Sequence, residues 1–68
     1  MKVTSSVLRE IDNHDKHLII TFKNKMKYSY DCGTSTRAKI WLGKISTADS
    51  AGREYTRFKK LNLPYQIS

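Results

Sequence analysis

One cysteine, one proline, three glycines and six acidic residues are the scarce ingredients of this 68-residue chain. Cys32 has no partner for an internal disulfide, so the fold forgoes that staple and a reducing, intracellular setting is expected. The few glycines form no loop of the kind that cradles phosphates, no nucleophile stands paired with a base, and no two carboxylates are set to flank a cleft. A chain this short buries only about 60% of its unfolded surface, which leaves one thin core and no interior catalytic cavity. The expectation is a single non-enzymatic domain without a cofactor. No apolar run approaches the roughly 18 to 20 residues of a membrane span. Near the start, Thr4-Ser5-Ser6 is polar where a signal peptide would be apolar. A cytoplasmic protein with no membrane partner is therefore expected.

Acidic residues are scarce where basic ones are dense. Residues 1–22 balance Lys2, Arg9 and Lys16 against Glu10, Asp12 and Asp15. From Lys23 onward ten Lys and Arg residues face only Asp31, Asp49 and Glu54, so the whole formal charge of +7 belongs to that stretch. Charge confined to one part of a small protein makes one surface positive, which favours a polyanion or an acidic protein surface as partner.

The first half has the period of strands. Leu18, Ile20 and Phe22 alternate with Ile19, Thr21 and Lys23, and Met26, Tyr28 and Tyr30 alternate with Lys27 and Ser29. A three-residue loop, Lys23-Asn24-Lys25, sets Phe22 opposite Met26, Ile20 opposite Tyr28 and Leu18 opposite Tyr30, with all six side chains on one face. A two-residue loop would set Phe22 against Lys27, and a slip of one residue exposes half of the apolar set. Val7, Leu8 and Ile11 fit an earlier strand, joined to the next by the polar turn Asn13-His14-Asp15-Lys16. The expected meander is Ser6–Asp12, His17–Lys23 and Met26–Asp31.

After Asp31-Cys32-Gly33 the period becomes helical. Thr34, Ser35 or Thr36 can cap a helix whose stripe is Ala38, Trp41, Leu42 and Ile45. Ser46-Thr47-Ala48-Asp49-Ser50, rich in residues that prefer caps to helix interiors, reads as a break. Ser50 then caps a second helix with the stripe Ala51, Tyr55, Phe58 and Leu61, and Asn62 and Pro64 end it. Burying both stripes calls for an α+β fold, a three-stranded antiparallel meander followed by two helices on one face. The opposite sheet face, with Thr21, Lys27 and Ser29, is expected to be wet and basic.

Three groups of cations follow from this layout. At about 100° per residue, Arg57 and Lys60 fall within about 40° of Arg53, opposite the apolar stripe. Such a row can track phosphates, although solvated faces and helix C-termini also carry Lys and Arg. Arg37 and Lys44 flank Ile40 outside the stripe of the first helix, and Trp41 lies at the stripe's edge, which makes Ile40 and Trp41 candidate contacts for a protein partner. Lys23, Lys25 and Lys27 cluster at the hairpin tip, beside Tyr28 and Tyr30, which could stack on a base if that sheet face were open but share the core face of Leu18 and Ile20; with the tyrosines in the core, these lysines supply electrostatic attraction without base readout. His14 and His17 with Asp12 and Asp15 have a His-x-x-His spacing in a turn, far from the cysteine, and no metal is expected there.

Four segments together resemble a known family. Ser5-Ser6, Leu18-Ile-Ile-Thr-Phe22, Tyr28-Ser29-Tyr30 and Ala48-Asp49-Ser50-Ala51-Gly52-Arg53-Glu54-Tyr55 are similar, in order and spacing, to the KTSC domain, a module named for its place at the C-terminus of some lysyl-tRNA synthetases. The resemblance runs over roughly residues 4–65 and implies a paired serine opening the first strand, a Tyr-x-Tyr strand, and an Ala-x-Ser-x-Gly-x-aromatic segment at the helices. The chain departs from the pattern at Lys25, where the family has a turn glycine, and at Asp31-Cys32-Gly33, where it has an apolar-proline step. The tRNA-charging association implies RNA in preference to DNA, and free-standing members occur in bacteria and phages. The expected function is thus a small binding module contacting a nucleic-acid backbone, RNA or a nucleoprotein, through Lys23, Lys25, Lys27, Arg37, Lys44, Arg53, Arg57 and Lys60. The alternative is an inhibitor or modulator, of the kind a phage encodes, docking on an acidic protein or ribonucleoprotein surface through Ile40 and Trp41.

Overall fold

Three strands, two helices and a final short strand follow in the order β1 (Leu8–His14), β2 (His17–Phe22), β3 (Lys27–Asp31), α1 (Ser35–Thr47), α2 (Ala51–Lys59) and β4 (Tyr65–Ile67). The structure, a computed structural model, describes residues 7–67. Its four strands form one antiparallel sheet in sequential order. The α+β class, the meander and the two following helices are those expected, and β4 is an addition. Ser5 and Ser6 lie outside the described residues, and the first strand begins and ends two residues later than its expected bounds.

The β2–β3 register is the one that the alternation demands: Leu18 opposes Tyr30 and Ile20 opposes Tyr28. The three-residue loop is closed by Phe22 N donating to Met26 O at 2.8 Å and Lys25 N donating to Phe22 O at 3.0 Å. Met26 lies outside β3 and is exposed, so it leaves the expected core set. Lys25 sits at φ 73°, the left-handed position that ends this loop type. An L-residue pays about 1–2 kcal/mol for that backbone. Lys25→Gly should therefore stabilise the fold by about 1 kcal/mol, raising Tm by roughly 4–8 °C. A thermal melt with an unchanged or lower Tm would show that the loop relaxes around the lysine.

In β1, Leu8 and Ile11 are both fully buried although they are three residues apart. A register shift between Leu8 and Glu10 makes this possible: Leu8 opposes Phe22 and Glu10 opposes Thr21, leaving Arg9 as the extra residue of a bulge. Beyond the bulge Ile11 and Asn13 face the core with Ile20 and Leu18, while Glu10, Asp12 and His14 share the other face with His17, Ile19 and Thr21. The outer sheet face was expected to be basic. It carries Glu10, Asp12 and Asp31 against Lys27, because the bulge turns the acids of β1 outward.

Of the three candidates for the first cap the structure uses Thr34, and Ser50 caps the second helix as expected. Thr34 accepts from Arg37 N at 3.2 Å and Ser50 accepts from Arg53 N at 3.3 Å. The first helix outlasts its expected break: Ser46 and Thr47 stay helical and donate their hydroxyls to Gly43 O, at 3.4 and 2.6 Å. In the second helix Ala51, Tyr55 and Phe58 are buried. Leu61, expected in the same stripe, is 49% exposed, because the helix ends at Lys59 and Asn62 takes φ 55°. The core is where Leu8, Ile11, Leu18 and Ile20 of the sheet meet Ala38, Ile45 and Phe58 of the helices.

Asp31 ties three chain crossings at one corner. Its Oδ1 accepts from Gly33 N at 2.8 Å, its Oδ2 lies 3.5 Å from Lys16 Nζ, and its own amide donates to Pro64 O at 2.8 Å. The Gly33 amide first, and Lys16 beside it, hold the Asp31 carboxyl below its usual range. Cys32, buried and free, follows directly. Tyr55 packs on Phe22 at 5.4 Å and Phe58 on Tyr30 at 4.9 Å, so α2 runs from the β2–β3 hairpin end of the sheet toward the Asp31 corner.

Candidate nucleic-acid interface

The helical layer concentrates the cations. Arg37, Lys39 and Lys44 on α1, and Arg53, Arg57 and Lys59 on α2 with Lys60 at its C-cap, are all exposed. Glu54 is the only carboxylate within either helix. It accepts from Arg57 Nη1 at 2.9 Å, one turn along the helix, so one member of the Arg53–Arg57–Lys60 row is already partly satisfied.

The eight candidate cations do not form one continuous group. Lys23 and Lys25 sit in the hairpin loop, whereas Lys60 lies at the opposite end of α2, toward the Asp31 corner. Lys27 opposes Thr21 and alternates with Tyr28, which puts it on the outer sheet face, away from the helices. Arg37 and Trp41 share a groove with Leu61 and Leu63. Lys44 Nζ lies 4.9 Å from the centroid of the Trp41 ring. Trp41 also meets Phe58 edge to face at 5.3 Å, so it is half core and half surface. Ile40 is 51% exposed on the solvent side of α1.

A second feature was not foreseen. Between α2 and the β3–β4 edge lies a cleft of about 470 Å³. Tyr30 and Tyr55 reach it from the core, Tyr28 from β3, Tyr65 from the edge strand β4, and Lys59 and Asn62 from the end of α2. Tyr28, expected wholly in the core, is only partly covered, and Tyr65 is 55% exposed on the helix side of the sheet. Lys59 Nζ stands 5.7 Å from the Tyr55 ring centroid. The i, i+4 spacing of Tyr55 and Lys59 announces that contact. Tyr65, in a three-residue strand after Pro64, has no comparable signal.

The Tyr30 and Tyr55 hydroxyls are 2.6 Å apart. Burial raises both phenols above their ordinary range; the hydrogen bond between them raises Tyr55 further and partly offsets the rise at Tyr30. Raised phenols stabilise the fold fully below the unfolded value of about 10, and that contribution is lost as pH rises above it. Alkaline titration should show these two tyrosines forming phenolate only as helical circular dichroism is lost. All four tyrosines ionising while the helices persist would contradict the burial of this pair.

His14 and His17 oppose each other across the β1–β2 turn. Among the described residues no group of three His, Cys, Asp or Glu side chains is placed to hold a metal ion, and no helix is long and apolar enough to cross a membrane. In comparisons with known proteins the chain matches no family model and no curated protein.

Proposed function

We propose that this chain is a small cytoplasmic, non-enzymatic binding module that lays its helical layer on a nucleic-acid backbone, RNA in preference to DNA. The observation that carries this reading is the segregation of charge: seven exposed cations on α1, α2 and the α2 C-cap against Glu54 and, in the loop between the helices, Asp49, with Glu10, Asp12 and Asp31 turned to the far side of the sheet. A surface so arranged presents phosphates with a net positive charge while keeping most of the protein's acids away. Arg37, Lys44, Arg53, Arg57 and Lys60 form the contact in this reading, and Lys23 and Lys25 extend it at the hairpin. The KTSC likeness belongs to the same proposal, as the reason for preferring RNA.

The exposed Ile40 between Arg37 and Lys44 favours a second reading, a modulator docked on an acidic protein or ribonucleoprotein surface, such as a phage would encode. Protein interfaces draw their energy from a few apolar or arginine anchors, so Ile40→Ala would cripple that complex and leave backbone binding intact. Salt titrations against single- and double-stranded RNA and DNA, with a nuclease-treated pull-down, separate the two. Backbone binding gives an affinity that falls steeply with salt. A partner protein retained after nuclease, with no binding to any of the four nucleic acids near 0.1 M salt, would overturn the leading reading.

A further inference from the structure

Backbone contact alone leaves the tyrosine cleft without a role, and its chemistry is that of a different kind of subsite. At about 470 Å³ it falls within the size range of small-molecule sites, about 300–1,000 Å³. Aromatic rings are ordinarily the first surface a 68-residue protein covers, yet Tyr65 is 55% exposed and Tyr28 partly so. These two rings lie on adjacent strands, with centroids 5.6 Å apart. At the α2 rim stands an ammonium, Lys59, and beside it an amide, Asn62, which offers both donors and acceptors. Tyr30 and Tyr55 also line the cleft, and their paired hydroxyls use one proton between them, so the accepting phenol keeps its own proton to donate. Both phenols are protonated at neutral pH, as any phenol is, and burial raises them further.

Resting on the nucleic-acid reading above, we propose that the cleft between α2 and β4 takes one unpaired nucleobase, stacked on Tyr65 and Tyr28, with the adjoining phosphate on Lys59. A flat ring with a polar edge matches aromatic walls and a hydrogen-bonding lining, and the phosphate matches the rim cation. Stacking tolerates any base because every base has a π-face. The site therefore selects unpaired over duplex strands and does not select sequence. Duplex bases, already stacked and paired, have no face to offer.

The test uses the full chain with two single-stranded probes of equal length and charge, a hexaadenylate RNA and an abasic ribose-phosphate hexamer, and a titration with adenosine 5′-monophosphate followed by NMR. The expected result is roughly tenfold tighter binding of hexaadenylate, with the Tyr28 and Tyr65 ring signals shifting on addition of the mononucleotide. Tyr65→Ala should erase that difference, Tyr65→Phe should keep it, and Lys59→Gln should make the salt dependence shallower. Equal affinity for the two hexamers in the unmodified chain would overturn the cleft proposal and leave backbone binding standing. If neither hexamer binds, the backbone reading fails, and the mononucleotide decides the cleft alone: shifts at Tyr28 and Tyr65 support it, and their absence overturns it. Stronger shifts of the same signals by a tyrosine-containing dipeptide would also overturn it, in favour of a peptide side chain.

Discussion

Replacing Arg53, Arg57 and Lys60 together by glutamine should weaken binding to single-stranded RNA about a hundredfold at 0.1 M salt. The magnitude follows from counterion release. Each phosphate contact contributes about 0.7 to the slope of log affinity against log salt for a single strand, so three contacts contribute about 2. Over the decade from 1 M, where this component vanishes, to 0.1 M, that slope is about a factor of 100. All three side chains are exposed and Arg53 holds its cap through the backbone amide, so the variant keeps its fold. Glu54→Gln should act in the opposite direction, because it releases Arg57 from its 2.9 Å partner and removes the one carboxylate within the two helices. Fluorescence anisotropy across a salt series reads both. An unchanged slope in the triple variant would remove α2 from the interface.

Phe58→Ala should leave most of the protein unfolded or bring it to the edge of unfolding. Phe58 is 1% exposed and meets Tyr30 at 4.9 Å and Trp41 at 5.3 Å, edge to face in both cases. Truncating a buried Phe costs about 3–5 kcal/mol, whereas a chain of this length holds only about 3–10 kcal/mol in all. By contrast, Leu61→Ala should cost under about 1 kcal/mol, since a half-exposed side chain outside a helix loses little. Urea denaturation compares the two. Similar midpoints would mean that Phe58 is not the pin between sheet and helices that its ring contacts make it.

These two residues also mark how far the pattern of the chain could be read. Leu61 and Phe58, about 60° apart on a helical wheel, belong to one stripe, and the end of α2 separates their fates. The Leu18–Tyr30 and Ile20–Tyr28 pairs were legible because alternation and loop length give the same register; Ser50 was legible as a hydroxyl before an apolar stripe, whereas three successive hydroxyls, Thr34, Ser35 and Thr36, left the first cap open. The Arg9 bulge was not, since a spacing of three between Leu8 and Ile11 fits no simple strand, and it reversed the expected charge of the outer sheet face. The exposed cations of both helices followed from periodicity. The cleft did not, because it depends on β4, whose pairing with β3 is long-range and leaves no local trace.

β4 has only three residues, every one exposed, and it closes on a sheet whose other strands are joined by short turns. Such an edge opens on its own, at a fraction of the cost of global unfolding. Amide hydrogens shared by Tyr65–Ile67 and Tyr28–Tyr30 should therefore exchange with solvent far sooner than those joining β1 to β2. Because Tyr65 supplies a wall of the cleft, any occupant binds only the closed form and shifts this local equilibrium by mass action. The exchange rate at one edge of the sheet thereby becomes a gauge of cleft occupancy.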